Sequence, residues 1–245
     1  MMRIDAANLH YRELNEQIKA AVAAGETEFD LANVCGHRYL GCGIHSVITV
    51  NIDGIPGNDL GAFMGGPRLY CSGNAQDGIA NTMDDGLVVV PGHAGDVMGY
   101  SMRGGSVYVR GNAGYRIGIH MKSYEGKEPT VIIGGRVRDF CGEYLAGGKL
   151  VILGLDLPAG EPIVGRYCAT GMHGGTLYVR GDVPVSHVRA GIAIDEADTE
   201  DQAVLRDLLT PYCAQFGLPL DEIASAPFTR LTARTSRPYG QLYAY

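Results

Sequence analysis

The stretches Leu87-Val-Val-Val-Pro-Gly92 and Ser106-Val-Tyr-Val-Arg-Gly111 decide the fold, because each is a short run of β-branched and aromatic residues that ends at a glycine. Five similar runs flank them, and the spacings between consecutive terminal glycines are 19, 19, 19, 23, 20 and 27 residues. Equal periods followed by longer ones predict one repeated unit with loop insertions at 123–126 and 155–161. The other terminal glycines are Gly54, Gly73, Gly134, Gly154 and Gly181.

Residue types also agree from unit to unit at fixed distances from these glycines. The positions two and four residues before each glycine are mostly aliphatic, and since side chains alternate faces along a strand, we expect both to point inward. In the unit that ends at Gly134, this rule points Thr130 and Ile132 inward and Val131 outward. A further apolar column contains Met64, Met83, Met102, Met121, Leu145 and Met172, and another contains Leu60, Ile79, Met98, Ile117, Cys141 and Cys168.

The repeat predicts an all-β fold, a right-handed parallel β-helix of about seven coils with a helical region at each end. The units lack the 3.6-residue period of an α-solenoid, and they are too short for βαβ crossovers. We predict a helix and cap over 1–33, the β-helix over 34–194, and a helix with an extended tail over 195–245. The first helix is expected from Asp5 to Ala24, and a capping box at 199–202 is expected to begin the second.

Glycine is about twice as frequent as usual, at 36 of 245 residues. We expect these glycines at corners where the backbone takes positive φ or where neighbouring coils press together. Three units share the pattern Gly-x2-Gly-x3-Gly, whereas Gln76 and Arg138 replace the middle glycine in two others. The patterned glycines are Gly54, Gly57 and Gly61 in the first unit, Gly92, Gly95 and Gly99 in the second, and Gly111, Gly114 and Gly118 in the third.

Charge and hydropathy exclude two classes of partner. The formal net charge is -7 and no cluster of Lys and Arg stands out, so we expect no binding to nucleic acid. No apolar run approaches the ~20 residues of a membrane span. Residues 1–9 lack the features of a signal peptide, so we expect a cytoplasmic protein with reduced cysteines.

Four residues near the first coil have the chemistry of zinc ligands: Cys35, His37, Cys42 and His45. Their spacing matches no common structural zinc pattern, and a turn that enters the first coil is the favoured interpretation. A second polar group, Arg116, His120 and Lys122 with Arg138 and Glu143 one coil further on, suggests an interface or a small-anion site, although solvated surface is the commoner explanation. Tyr239 and Tyr243 lie in an aromatic tail that either packs on the rod or docks on a partner.

The glycine units resemble the glycine-repeat (GXGXG) domain at the C-terminus of the large (alpha) subunit of glutamate synthase. The stretches 57–64, 114–122, 143–148 and 171–175 are especially similar to the free-standing, archaeal-type third subunit of that enzyme. The resemblance extends from about Val34 to Arg180 and returns at 237–243.

This resemblance implies a parallel β-helix that acts as a scaffold in a hetero-oligomer. The family reaction converts glutamine, 2-oxoglutarate and two electrons into two glutamates. It implies two partners, a glutaminase (amidotransferase) subunit and an FMN-barrel synthase subunit that carries FMN and an iron–sulfur cluster. On this basis we expect no catalytic residue and no cofactor on this chain.

Three alternatives remain open at this point. Two are the equivalent subunit of N-methylglutamate synthase and the equivalent subunit of formylmethanofuran dehydrogenase, which share the domain. The third is a stand-alone β-helix protein that binds a metal or another ligand.

Overall fold

One sheet organises the molecule, in a computed structural model that describes residues 1–158 and 160–236. Nine parallel strands stack in chain order, and two antiparallel strands close the sheet in the order β9-β11-β10. The strands are β1 (Met2–Asp5), β2 (Glu28–Cys35), β3 (Thr49–Ile55), β4 (Gly65–Cys71), β5 (Asp85–Val90), β6 (Ser106–Val109), β7 (Thr130–Ile133), β8 (Ala146–Ile152), β9 (Gly174–Arg180), β10 (Ile192–Glu196) and β11 (Phe228–Ala233).

The predicted parallel β-helix is confirmed, and its seven coils correspond to β3–β9. Like residues stack along the sheet, as in the aligned column Val50, Leu69, Val88 and Val107, each at most 2% exposed. The methionine column and the Leu60–Cys168 column predicted from the repeat are both buried. These columns and the inward side chains of the sheet form one continuous core.

One coil departs from the predicted register by a single residue. Val131 and Ile133 of β7 continue the inner columns, whereas Ile132 faces the outer side of the sheet next to Tyr108. Thr130 pairs with Ser106, so it also lies outside the inner columns. The repeat glycine of this coil is Gly135, whose N–H donates to the Gly111 carbonyl over 2.9 Å. Because side chains alternate with a period of two, this slip inverts every assignment in the strand.

The N-terminal region contains more sheet than the sequence predicted. Asp5 belongs to β1, and the helix α1 spans only Tyr11–Ala23. The strand β2 crosses the predicted boundary at residue 33 and pairs with both β1 and β3. His10 caps α1 in a capping box with Glu13, and Gly25 follows the last turn with φ 96°.

At the other end, α2 (Thr199–Phe216) and α3 (Leu220–Ala224) lie against the outer side of β5–β9. The N-cap of α2 is Asp198, which forms a capping box with Asp201, so the capping box predicted at 199–202 is shifted by one residue. Gly217 ends α2 in the left-handed conformation. The Tyr212 hydroxyl donates to the Val109 carbonyl over 3.1 Å and ties the helix to the sheet.

Opposite the sheet lies a second regular wall, here called the left-handed wall. It consists of seven five-residue segments in which the first, third and fifth residues all have positive φ. The middle residue is always glycine or alanine, but the first and fifth are often larger, including Val97 and Thr82. The segments are 39–43, 59–63, 78–82, 97–101, 116–120, 140–144 and 167–171.

Backbone hydrogen bonds between coils hold this wall together. In the second segment Asp59 N donates to the next coil at Asp77 O over 2.9 Å, and Gly61 N donates to the previous coil at Leu40 O over 2.8 Å. Phe63 N again donates to the next coil, at Asn81 O over 2.8 Å. The alternation recurs along the wall and satisfies backbone groups that would otherwise be buried unpaired. These bonds compensate for positive φ at non-glycine residues, which costs about 1–3 kcal/mol each.

The glycines of the Gly-x2-Gly-x3-Gly pattern do not share one structural role. The third glycine of each unit is the middle residue of a left-handed segment, with φ 69° at Gly61, 72° at Gly99 and 71° at Gly118. The second glycine lacks positive φ, and instead lies where the preceding coil comes too close for a side chain. A Cβ at Gly57 would clash with the Gly36 carbonyl, and one at Gly114 would clash with Asp96 Oδ1. The expected corner conformation therefore applies to the third glycine, and close packing of coils explains the second.

Side-chain ladders between coils account for two further glycines that do not need positive φ. His93 N donates to Asn74 Oδ1 over 2.8 Å, and a Cβ at Gly92 would clash with the same oxygen. A parallel ladder joins Asp96 N to Asp77 Oδ1, where a Cβ at Gly95 would clash. Arg138 is tolerated at the equivalent position because the residue below it is Tyr115, whose ring it covers at 5.6 Å instead.

Candidate interaction surface

The predicted polar group lies on the outer surface of the left-handed wall, here called the left-handed face. Arg116 and His120 are the first and fifth residues of one segment, with φ 57° and 55°. Glu143 lies in the next segment, and Arg138 lies two residues before that segment. The structure therefore brings together four residues that are up to 27 positions apart in sequence.

An ion pair joins two adjacent coils at the centre of this group. Arg116 Nη1 donates to Glu143 Oε2, and the Glu143 side chain is only 9% exposed whereas that of Arg116 is 43% exposed. The Glu143 carbonyl also accepts the His120 N–H over 3.0 Å. The ion pair fixes the position of the guanidinium against the next coil.

Rings stack along the face from coil to coil. The imidazole of His120 stacks on Tyr144 with ring centroids 5.0 Å apart and contacts Tyr100 edge-on at 5.9 Å. Phe140 stacks on Tyr167 at 5.0 Å, and Arg116 lies over Phe140 at 4.6 Å. Each ring stands on a coil about one strand spacing from the next, which suits offset stacking.

Lys122 lies just beyond this group. Its Nζ is 5.6 Å from the Tyr124 ring centroid, and Arg103 approaches the same ring at 5.6 Å. Tyr124 belongs to the predicted 123–126 insertion, which forms a turn closed by backbone hydrogen bonds to Lys127.

Partly exposed aromatic side chains run along the whole face and not only around the predicted group. Sequence inspection missed this strip, although the period of 19 residues could have revealed it by aligning the positions in and directly before each segment. Aromatic and arginine side chains are the types that dominate binding energy in protein interfaces. The strip consists of Tyr39, Phe63, Tyr100, Tyr115 and Tyr167, which are 38–51% exposed.

The four candidate zinc ligands have different surroundings. Both ring nitrogens of His37 are engaged with backbone: Nδ1 accepts from Cys35 N over 3.0 Å, and Nε2 lies 3.1 Å from the Leu9 carbonyl. Cys35 and His45 are exposed, and partial burial raises the pKa of the Cys42 thiol. Within residues 1–158 and 160–236, no three His, Cys, Asp or Glu side chains are grouped so as to hold a metal ion.

Two buried thiols continue the apolar columns inside the rod. Contact with Cys168 and burial raise the pKa of the Cys141 thiol, and Cys71 is buried in the sheet column, where desolvation raises its pKa to about 12. All six cysteines are free thiols. Tyr239 and Tyr243, the predicted tail contacts, lie outside the described residues.

A shallow depression of about 410 Å³ lies on the outer side of the sheet where α2 does not reach. Its lining includes Arg3, Asp30 and Asn51, with Asn51 Nδ2 donating to Asp30 Oδ1 over 2.8 Å. In the part of the chain that the structure describes, no helix is long and apolar enough to cross a membrane.

Comparison with known proteins relates most of the chain to one family. The model of the family described as GXGXG motif matches residues 12–234. An uncharacterized protein of Methanocaldococcus jannaschii is 42% identical over 248 aligned residues, which cover 98% of this chain and 95% of that protein.

Ferredoxin-dependent glutamate synthase 2 of Synechocystis is 29% identical over 201 residues, which cover 77% of this chain but only 12% of that enzyme. A chain in the solved formyltransferase/hydrolase complex of Methylorubrum extorquens, in complex with methylofuran, has the same fold. Its TM-score is 0.65 at 17% identity, over 94% of this chain and 90% of that one.

Proposed function

Because the chain belongs to the GXGXG motif family, we propose that it is a non-catalytic scaffold subunit of a multi-subunit glutamate synthase. It holds a glutaminase subunit and an FMN-barrel synthase subunit in one assembly, so that glutamine, 2-oxoglutarate and two electrons yield two glutamates. FMN and an iron–sulfur cluster belong to the barrel subunit. The assembly works in the cytoplasm.

The relationship to glutamate synthase carries this proposal. The similarity covers most of this chain but 12% of that enzyme, so the chain can take part in such a reaction only together with other catalytic modules. The rigid stacking of two hydrogen-bonded walls supports a spacer role, since the nine parallel strands give a rod of roughly 40 Å at ~4.8 Å per strand.

Reconstitution from separate subunits tests the scaffold role. The measured rates are glutamine hydrolysis, glutamate formation from ammonia, and glutamate formation from glutamine. Without this chain we expect the first two rates to persist and the third to collapse, because ammonia released by the glutaminase escapes to solvent before it reaches the barrel. Addition of the chain should restore the third rate.

Two variants at one core position control for folding. Met102→Leu keeps the buried column apolar, so this variant should restore glutamate formation from glutamine. Met102→Asp should not restore it, because it buries a charge in that column. Full glutamine-dependent glutamate formation in the absence of this chain would overturn the proposal.

The structural likeness to a chain of the formyltransferase/hydrolase complex favours a second candidate, the equivalent subunit of another multi-subunit enzyme such as formylmethanofuran dehydrogenase. Mass spectrometry of proteins that co-purify with the chain separates the two. A glutaminase and an FMN-barrel protein support the glutamate synthase assembly, and molybdopterin-type subunits support the alternative. An assembly that makes N-methylglutamate from methylamine would place the scaffold in that related enzyme.

A further inference from the structure

Charge is segregated along the left-handed face. The second, third and fourth segments carry or adjoin three carboxylates, Asp59, Asp77 and Asp96, here called the acidic half. The fifth, sixth and seventh carry or adjoin three guanidinium groups, Arg116, Arg138 and Arg166, here called the basic half. Arg38 and Arg189 lie beyond the two halves, at the ends of the rod.

The basic half also carries two carboxylates, Glu143 and Asp139, of which only Glu143 is neutralised by an ion pair within the described part of the chain. Glu143 is buried against Arg116, and Asp139 Oδ1 accepts the backbone N–H of Arg166 over 2.8 Å. Arg138 and Arg166 are exposed. Arg116 and Glu143 cancel, so the two exposed guanidinium groups against the one carboxylate of Asp139 leave this half with a small net positive charge, on a chain whose formal net charge is -7.

The acidic half has the complementary arrangement. Asp77 is exposed and Asp59 and Asp96 are partly exposed. The Oδ1 atoms of Asp77 and Asp96 each accept a backbone N–H, from Asp96 over 2.8 Å and from Tyr115 over 2.9 Å. These bonds hold the carboxylates in place.

We propose that the left-handed face binds a second copy of this chain in an antiparallel, two-fold arrangement. The axis lies in the interface, perpendicular to the rod, and passes between the fourth and fifth segments. The acidic half of each copy then opposes the basic half of the other, and every contact occurs twice. A parallel arrangement, with the two-fold axis along the rod, would oppose like charges along the entire face.

The aromatic strip supplies the apolar part of this contact. Phe63 and Tyr100 project from the acidic half, and Tyr115 and Tyr167 project from the basic half. Seven segments give a face roughly 30 Å long. The area that this narrow face can bury is smaller than the ~800 Å² per partner of a standard interface. We therefore expect a reversible dimer with a Kd on the order of 10 μM at low salt.

Sedimentation velocity of the purified full-length chain tests the proposal without any partner subunit, so its outcome is independent of the proposed enzyme assembly. We expect dimer at about 50 mM salt and monomer at about 500 mM, because screening weakens exposed charge pairs. A wild-type chain that stays monomeric at about 100 μM and low salt, well above that Kd, would overturn it.

Charge reversal locates the contact. Asp77→Arg and Arg138→Glu should each give monomers, and an equimolar mixture of the two should dimerise because each restores the opposite charge for the other. Both replacements suit the fold: arginine occupies the column of Asp77 at Arg38 and Arg166, and Gln76 occupies the column of Arg138.

A control variant changes a surface residue of α2, away from the left-handed face. Asp207→Arg makes the same change of charge at an exposed helical position and should leave the dimer intact. Unchanged melting temperatures establish that the single variants are folded. Variants that still dimerise alone, or a mixture that remains monomeric, would contradict the antiparallel contact.

Discussion

The sheet wall and the left-handed wall enclose the same core but are ordered in different ways. Residues of the sheet wall, such as Val88 and Val107, adopt the extended backbone that β-branched side chains favour. The left-handed wall holds Val97 and Thr82 at φ 61° and 52°, where such side chains are disfavoured. The backbone preference of the residues therefore suffices to explain the conformation of the sheet wall. The conformation of the left-handed wall depends on hydrogen bonds to the coils above and below it.

The largest loss of stability is expected in the core that the two walls enclose. Met102→Asp places a charge in a fully buried column, with no partner within the stack, and should destabilise the chain by more than about 4 kcal/mol. We expect no cooperative unfolding transition in circular dichroism. Met102→Leu should melt close to the wild type, and normal melting of the aspartate variant would contradict the inward position of this column.

A smaller loss of stability is expected from substituting glycines that lie against the side-chain ladders between coils. Gly92→Ala should cost about 2–3 kcal/mol in chemical denaturation, because the new Cβ would clash with Asn74 Oδ1. Gly73→Ala is the matched control one coil earlier, since its nearest contact is 4.0 Å away, and it should cost less than about 1 kcal/mol. The double variant Gly92→Ala/Asn74→Ala should recover part of the loss, and strictly additive losses would refute the clash.

The sheet wall also contains a titratable group that should make stability depend on pH. Burial raises the pKa of Cys71 to about 12, so the unfolded chain ionises this thiol at lower pH than the folded chain does. Its contribution is complete below pH ~9 and declines by about 1.4 kcal/mol per pH unit from there toward pH ~12. Between pH 9 and 10.5 the variant Cys71→Val should lose about 2 kcal/mol less than the wild type, and equal losses would contradict the burial of this thiol.

The smallest effect on stability is expected in the left-handed wall, with the opposite sign from the same substitution in the sheet wall. Val97→Gly relieves a left-handed β-branched residue and should change stability by no more than about 1 kcal/mol, in the stabilising direction. Val88→Gly at a buried sheet position should cost more than about 3 kcal/mol. Comparable losses for the two variants would show that the left-handed wall carries no strain.

The repeat in the sequence was sufficient to predict the sheet wall, because alternating aliphatic residues have one period and one inward face. It failed in β7, where the pair Gly134-Gly135 offers two candidates for the repeat glycine, and the choice of Gly134 inverted the strand. It also failed at β1, which is too short to show alternation and is identified only by its pairing with β2.

The candidate surface was predicted only in part. The charged residues were visible as a cluster, but the ring stacks joining His120 to Tyr144 and Phe140 to Tyr167 span 24 and 27 positions in sequence, and the insertion between their coils hides the register. The positive φ of Arg116 and His120 could not be read from residue type, since both residues usually avoid it. Only the bonds between coils explain why it is adopted.

The position of α2 on the outer side of the sheet has a consequence for the order of synthesis. Val89, Ile132 and Val151 face outward from the rod and are buried by residues of the C-terminal helices, which leave the ribosome after all nine parallel strands. A nascent chain that has already stacked its coils still presents an apolar strip to solvent. The strip is covered only when α2 and α3 have packed on the sheet, so a chain terminated before residue 199 keeps it exposed.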